Sequence, residues 1–389
     1  MPDRPKAYKI LVVDDEPDLE PLVLQRMRRD IRSGRYDFSF ARDGVEALEK
    51  LEEDEEIDMV LSDINMPRMD GLTLLEQIPK VSPNLRSVII SAYGDMKNIR
   101  TAMNRGAFDF VTKPVDFDDL RFTIDRTLQH IEELREALNA RDKLVALQNE
   151  LNVASAMQQS ILPTTFPNSD TYKVFGTMQP ARNVGGDFYD VMRLHDGQVG
   201  LAIADVSGKG VPAALFMMSS RTLLKGAAIG MEGPGAVLSE VNNLLHEDNS
   251  ASMFVTMLYA VYNPTTRALT YANGGHDPPL LIRSDGTSSL LPLTGGIALG
   301  VLPDFDYNQE TIYLSPGDTM VLYTDGVTEA MNGEGVQLGI NRVRHIFEEA
   351  PPRDAEEVGL EVVKAVNRFA EDAPQHDDIT CLTLGCYKV

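Results

Sequence analysis

Cysteine is almost absent from this chain. Cys381 and Cys386 are the only two in 389 residues, and both sit at the C-terminal edge. Two thiols at that spacing give neither a disulfide framework nor a zinc-ligand pattern, which fits a reducing cytoplasm. Positive charge is also short: 36 Lys and Arg stand against 59 Asp and Glu, a formal net charge of −23. No segment is basic, which argues against nucleic acid or an anionic membrane surface as a partner. The densest basic run, Arg26, Arg28, Arg29, Arg32 and Arg35, reads as the solvated face of a helix. Long apolar runs are missing as well. The stretch MPDRPKAYKILVVDDEP is too briefly apolar for a signal peptide, and no later run approaches a membrane span. A hydrophobic content of 43% over this length allows two or three globular domains.

Glycine and proline are missing from one long stretch, Asp118 to Leu162, which Pro163 closes. Its interior is rich in Leu, Ala, Glu, Gln and Arg, so it predicts one long helix. Apolar residues recur at seven-residue steps, at Ile124, Ile131, Leu138 and Val145, with Leu134 between. A second seam, Leu144, Leu147, Leu151, Ala154 and Ile161, is offset by one residue, which implies a local change of winding. So narrow a stripe needs a partner helix, and a coiled coil joining a parallel homodimer is expected; a helix folded back on its own domains is the alternative. This helix divides the chain into three expected parts: residues 1–120, a helical coiled-coil linker at 121–162, and residues 163–389.

Within 1–120, five apolar runs each precede a helical stretch, beginning with KILVV and ending with FDFVTKP. That alternation predicts an α/β flavodoxin-like fold with a five-stranded parallel sheet, whose site lies at the carboxyl ends of the strands. Asp14, Asp15, Asp63, Ser91 and Lys113 fall there. Three convergent carboxylates repel unless a cation neutralises them, and oxygen ligands of this kind suit Mg²⁺. A carboxylate so placed can accept a phosphoryl group. With VVDDE, LSDINMP, SAY and FVTKP in order, the segment resembles the receiver domain of bacterial response regulators. The resemblance implies phosphorylation at Asp63 by a sensor histidine kinase or phosphotransfer protein. It implies Mg²⁺ on Asp14, Asp15, Asp63 and the carbonyl of Asn65, a switch formed by Ser91 and Phe110 with Lys113 beside it, and a cis Lys113–Pro114 bond.

After Pro163 the pattern changes to alternating strand-like runs with two pairs of helices, at about 211–229 and 235–246, then 341–349 and 354–371. These predict an α+β sandwich of two sheets flanked by helices. Four separated pieces carry acids: GGDFYD with Asp187 and Asp190, ADVSGKGVP with Asp205, YTDGVTE with Asp325, and QHDDIT with Asp377 and Asp378. Carboxylates at strand ends beside glycine suit hard cations. Two ions sharing one carboxylate lower the pKa of the water between them toward neutrality, a route to phosphoester hydrolysis without a protein nucleophile. No Ser-His-Asp or Cys arrangement competes.

The order and contexts of these pieces, with AMQQSILP and NGGHDPPLL, resemble the SpoIIE-type bacterial Ser/Thr phosphatases, relatives of the metal-dependent type 2C class. The resemblance spans nearly all of 150–389. It implies two Mn²⁺ or Mg²⁺ ions, with Asp205 bridging, the Val206 carbonyl adding a ligand, Asp187 ordering water, and Asp325 and Asp377 completing the centre. Asp378 is the alternative to Asp377 if the register differs by one. Arg182, five residues before Asp187, matches the phosphate-binding Arg of type 2C enzymes. Ser207 departs from the His that animal enzymes carry two residues after the bridging Asp. His276 reads as a structural turn residue, and Met217 and Met218 as helix core. Together the two resemblances imply a response regulator in which Asp63 controls, through the linker, a phosphatase of a phosphorylated STAS-type anti-sigma-factor antagonist. A non-catalytic scaffold holding a kinase or anti-sigma factor, and a phosphatase of small phosphoesters, are the rival readings.

Overall fold

The computed structural model describes residues 7–92, 94–247, 249–349, 354–371 and 373–388. The chain divides into two compact units between Ala146 and Leu147.

In the first unit the apolar runs form strands β1 (Tyr8–Val13), β2 (Tyr36–Ala41), β3 (Ile57–Asp63), β4 (Arg86–Ala92) and β5 (Asp109–Lys113). They pair in parallel in the order β2-β1-β3-β4-β5. The helices between them are α1 (Leu19–Arg26), α2 (Arg28–Arg32), α3 (Gly44–Glu53), α4 (Gly71–Val81) and α5 (Met96–Asn104). The Asp43–Gly44 and Asp70–Gly71 pairs are helix starts. Asp43 and Asp70 accept from the first free amides of α3 and α4, and Asp95 does the same for α5.

The arginine run is not one helical face. Met27 is fully buried and separates α1 from α2, and Arg35 lies beyond α2 in the turn before β2. Arg35 pairs with Asp125 at 2.7 Å and Arg121 with Asp30 at 3.2 Å.

Helix α6 (Phe117–Ile161) carries 45 residues, about 68 Å at 1.5 Å per residue. Its seven-residue stripe does not start as a seam for another chain. Leu120, Ile124, Leu128 and Ile131 are buried with Ile10, Val12, Met27, Val88 and Val111, so this stretch is the last helix of the parallel sheet's own core. Positions spaced four, four and three form one helical face on a sheet as readily as a coiled-coil seam. Farther on, Leu144, Val145 and Leu147 are 67%, 54% and 53% exposed, and all of 139–150 is solvent-facing.

In the second unit the strands are β6 (Tyr172–Gln179), β7 (Phe188–Arg193), β8 (Val199–Val206), β9 (Val255–Asn263), β10 (Ala268–Gly274), β11 (Leu280–Ile282), β12 (Ser288–Leu290), β13 (Gln309–Tyr313), β14 (Thr319–Tyr323) and β15 (Ile379–Cys386). The helices are α7 (Val211–Gly230), α8 (Pro234–Glu247), α9 (Asp325–Thr328), α10 (Ile340–Glu349) and α11 (Ala355–Ala370). Two antiparallel sheets result, ordered β13-β10-β9-β8-β7 and β12-β11-β14-β15-β6. Helices α7 and α8 pack on the first sheet, α10 and α11 on the second. Strand β15 shows why both its faces are apolar. Leu382, Leu384 and Cys386 point into the core shared with the first sheet, while Ile379 and Cys381 point under the helices. Both cysteines are therefore buried, free and on opposite faces. No helix among the described residues is long and apolar enough to cross a membrane.

Candidate functional site

Three strands of the parallel sheet end in polar side chains that meet. Asp14 follows β1, Asp63 ends β3 and Lys113 ends β5. The carboxylate oxygens of Asp14, Asp15 and Asp63 lie within 4.8 Å of one another. Lys113 Nζ donates to Asp14, Glu16 and Asp63, each at 3.0 Å. The second oxygen of Asp63 accepts from the Ile64 amide at 2.7 Å. Burial raises the Asp14 carboxyl, against the bonds it accepts from Glu16 and Lys113. Burial also works against the Lys113 charge, but its bonds to Glu16, Asp14 and Asp63 hold the ammonium above the ordinary lysine value. Gly71 lies so close that a Cβ there would sit 2.0 Å from the Asp63 carbonyl oxygen. Asn65 is exposed in the loop after Asp63. On β4, Ser91 is buried, and its hydroxyl has no hydrogen-bond partner among the described residues. Phe110, on the neighbouring β5, is exposed. Lys113–Pro114 is cis, and Tyr93 of the SAY motif lies outside the described residues.

The second unit assembles its acids where the ends of the two sheets come together. Asp187 precedes β7, Asp205 lies at the end of β8, Asp325 opens α9 two residues past β14, and Asp377 and Asp378 precede β15. Arg182, Asp205, Lys209, Asp377 and Asp378 line one pocket. Asp187 is buried below it and accepts from the Thr380 hydroxyl at 2.6 Å. Burial, and then the nearby Asp205, raise the Asp187 carboxyl well above its ordinary value. Burial, with Asp325 next, raises Asp205 to about 7. Burial, with Asp377 next, raises Asp325 to about 6. These acids are spread more widely than the first triad: among the described residues, no three of them bring oxygens within 4.8 Å of one another.

Neighbours in sequence, Asp377 and Asp378 do different things. Asp378 Oδ1 accepts from the Ala181 amide at 2.8 Å, and its Oδ2 from Gly186 at 2.8 Å and Asp187 at 3.3 Å. Its carboxylate is thus occupied in holding the loop that carries Asp187. Gly185 is required there, since a Cβ would stand 2.2 Å from Asp378 Oδ2. Asp377 is more exposed, and its Oδ2 accepts from Lys209 Nζ at 2.7 Å. Asp190 is drawn away from the cluster: it is fully buried and pairs with Arg221 at 2.9 Å and Lys225 at 3.3 Å on α7.

The backbone carbonyl of Val206 faces Gly186, 2.9 Å from where a Cβ would be. Arg182 is exposed at the pocket rim. Ser207 ties its loop to the start of β9, its amide donating to Phe254 O at 2.9 Å and its hydroxyl accepting from the Phe254 amide at 3.0 Å. Met217 is fully buried and Met218 packs against the same core.

His276 is a structural residue. Its Nε2 lies 3.1 Å from the Tyr323 carbonyl, which can only accept, so Nε2 carries the proton. Nδ1 then accepts from the Thr256 hydroxyl at 2.9 Å. The ring thereby ties β9, opposite Asp205, to the end of β14, just before Asp325. Burial lowers its pKa to about 4. Because the folded value lies below the unfolded one of about 6.5, this neutral ring favours the fold above that pH, and the contribution is lost as pH falls toward 4. A histidine Cε1–H titration, assigned with His276→Asn, should show one ring that stays neutral to about pH 4; a value near 6.5 for His276 would contradict its burial.

Lys209, Thr380 and Gln158 are contacts that reading by residue type does not single out. Gln158 at least sits in AMQQSILP, three and four residues before apolar Ile161 and Leu162.

Comparison with known proteins comes to the same two parts. Residues 10–125 match the family model of the response regulator receiver domain. Residues 195–387 match that of stage II sporulation protein E, SpoIIE, a range that opens downstream of Asp187. The phosphoserine phosphatase RsbU of Bacillus subtilis (strain 168) is 30% identical over 268 residues, covering 69% of this chain and 79% of that protein. The transcriptional regulatory protein GlrR of Escherichia coli (strain K12) is 37% identical over 145 residues, 36% of this chain and 32% of that protein. Among solved structures, the SiaA-PP2C domain of Pseudomonas aeruginosa is 26% identical with a TM-score of 0.55, covering 63% of this chain and 99% of that domain. The chain belongs to the SpoIIE family of phosphatases and carries a response-regulator receiver domain ahead of its phosphatase domain.

Proposed function

We propose that this protein is a cytoplasmic response regulator whose phosphorylation at Asp63 controls a metal-dependent phosphoserine/phosphothreonine protein phosphatase. The observation that carries the catalytic reading is the convergence of Asp187, Asp205, Asp325 and Asp377 at the meeting of two sheet ends. Burial and mutual repulsion raise Asp187, Asp205 and Asp325 there, and Lys209 contributes an ammonium, on Asp377. Hard oxygen donors in excess of positive charge fit divalent cations, Mn²⁺ or Mg²⁺. Bound there, such ions supply Lewis-acid activation of water and neutralise charge on the phosphoryl group.

The chain's own residues supply the rest. Asp205, the Val206 carbonyl, Asp325 and Asp377 are assigned as ligands, and Asp187 as the residue that orients water from below. Asp378 supports them by holding the loop. Arg182, exposed at the rim, is assigned to grip a phosphate with its guanidinium. In the receiver, Asp14, Asp15, Asp63 and the Asn65 carbonyl are assigned to Mg²⁺, for which the tight acid triad is a fitting donor set. The kinship with a phosphoserine phosphatase supports a phosphorylated protein of the STAS anti-sigma-factor-antagonist type as substrate. A sensor histidine kinase or phosphotransfer protein is the partner at Asp63. The exposed apolar residues of 139–150 support a parallel dimer through α6.

The test is hydrolysis of a phosphoserine protein by the full chain in Mn²⁺, beside Asp205→Asn, with and without beryllofluoride. Turnover by wild type alone establishes the enzyme, and the beryllofluoride ratio gives the sign of control. Metal binding with no turnover in either state would favour a scaffold.

The two adjacent acids should separate by experiment. In Asp378→Asn one oxygen becomes a donor facing backbone amides, so about 2 kcal/mol should be lost. The melting temperature in EDTA should fall by about 5 °C. Asp377→Asn should melt close to wild type but bind Mn²⁺ more weakly. The reverse pattern in calorimetry and Mn²⁺ titration would exchange the two assignments.

A further inference from the structure

We infer that Gln158, on the last turn of α6, is a positioning residue for the acid cluster: its carboxamide grips both backbone polar groups of Gly185 and so fixes the segment on which Asp187 is mounted. The inference rests on the phosphatase reading above.

Gln158 is 4% exposed, whereas Met157 beside it is 61% exposed. The Gly185 amide donates to Gln158 Oε1 at 3.0 Å, and Gln158 Nε2 donates to the Gly185 carbonyl at 2.6 Å. Both ends of the carboxamide are used, and both polar groups of Gly185 are satisfied. The next two amides, Gly186 and Asp187, donate to Asp378. The segment is therefore held between two supports, α6 on one side and the loop before β15 on the other. It has no side chain of its own to hold it at Gly185, and none would fit.

The helix end is itself anchored. Leu162 is buried in the core with Ile161 packed against it, and the Tyr189 hydroxyl donates to the Pro163 carbonyl at 3.0 Å. Asn183 Nδ2 donates to Asn152 Oδ1 at 3.2 Å, a second grip by α6 on the same loop. The geometry is unforgiving. A slip of one residue turns a helix by about 100° and moves it about 1.5 Å, enough to part both bonds to Gly185. A carboxamide that only filled space would leave the acids indifferent to its removal. This one binds Gly185, two residues before Asp187.

Gln158→Leu keeps the size and removes both bonds. In the full chain with Mn²⁺ and p-nitrophenyl phosphate, kcat should fall by about 10- to 100-fold while KM stays within about twofold, the range typical of groups that orient ligands from outside. Mn²⁺ affinity, followed by electron paramagnetic resonance of the free ion, should weaken by about tenfold. Amide exchange over 183–187 should quicken. Gln159→Leu, one residue on and exposed, should change none of these. If Gln158→Leu does not fold, Gln158→Asn, which keeps the carboxamide but falls short of Gly185, gives the same readouts. A folded variant with wild-type kcat and Mn²⁺ affinity overturns the inference. Wild type that binds Mn²⁺ but hydrolyses nothing overturns the phosphatase reading instead, and Mn²⁺ affinity and exchange still decide the role of Gln158.

Discussion

Asp205→Asn should retain about a thousandth of wild-type turnover of a phosphoserine protein in Mn²⁺, equivalent to ~4 kcal/mol of lost transition-state stabilisation. It should also make the metal-free chain harder to unfold at pH 8. The two effects have one cause. Asp205 lies between Asp187 and Asp325, partly buried, and its carboxyl is raised to about 7. A carboxylate whose folded pKa is above its unfolded value of about 3.9 favours the fold when protonated; that advantage is lost as pH climbs from about 4 to about 7. At pH 8 the metal-free chain therefore carries a penalty on the order of 4 kcal/mol. An amide at 205 has no charge to penalise and can donate to the Asp187 carboxylate. The difference in melting temperature in EDTA should shrink between pH 8 and pH 5, and saturating Mn²⁺ should reverse the order at pH 8 if Asp205 is the ligand proposed. Comparable turnover by the variant, or a variant less stable in EDTA at pH 8, would remove Asp205 from the centre.

That such residues could be named from sequence follows from where strands end. In a parallel sheet under helices the apolar run is forced by burial on both faces, so the first acid after it marks the carboxyl edge; Asp14 and Asp63 were legible for that reason. In the antiparallel unit, acids beside glycine at the ends of apolar runs were legible in the same way, with Asp205 on β8 and Asp325 just past β14. What stayed hidden depends on contacts between distant positions. The stripe Ile124–Ile131 has a seven-residue period, but over two turns that period cannot tell a partner chain from the helix's own sheet. The pair Asp377–Asp378 differs only in what each side chain meets, and the partners of Asp378 are 191 or more residues away. Gln158 reads as a solvated helix residue until Gly185 is brought against it. Strand β12, with its Ser-Ser-Leu, has no apolar alternation to announce it, and the four residues of α9 read as a turn.

Asp63→Asn should abolish phosphoryl transfer from labelled acetyl phosphate, where wild type takes up label in Mg²⁺. Asp63 is the acid that stands at the meeting of the other receiver groups. One oxygen accepts from the Ile64 amide and the other from Lys113, which also holds Asp14 and Glu16. Phosphorylation exchanges one negative charge for nearly two and brings three further acceptor oxygens to this edge. In the pairing of β3 with β4, Asp63 stands opposite Ile90, so Ser91 is the next residue along. Among the described residues the buried Ser91 hydroxyl has no partner, a state that costs about 1–3 kcal/mol. A phosphoryl oxygen on Asp63 would offer it an acceptor. Ser91→Ala should therefore take up label as wild type does but lose most of the change in phosphatase rate that beryllofluoride produces. Label on Asp63→Asn would move the phosphoacceptor elsewhere. An undiminished beryllofluoride response in Ser91→Ala would take the switch away from this hydroxyl while leaving Asp63 as the acceptor.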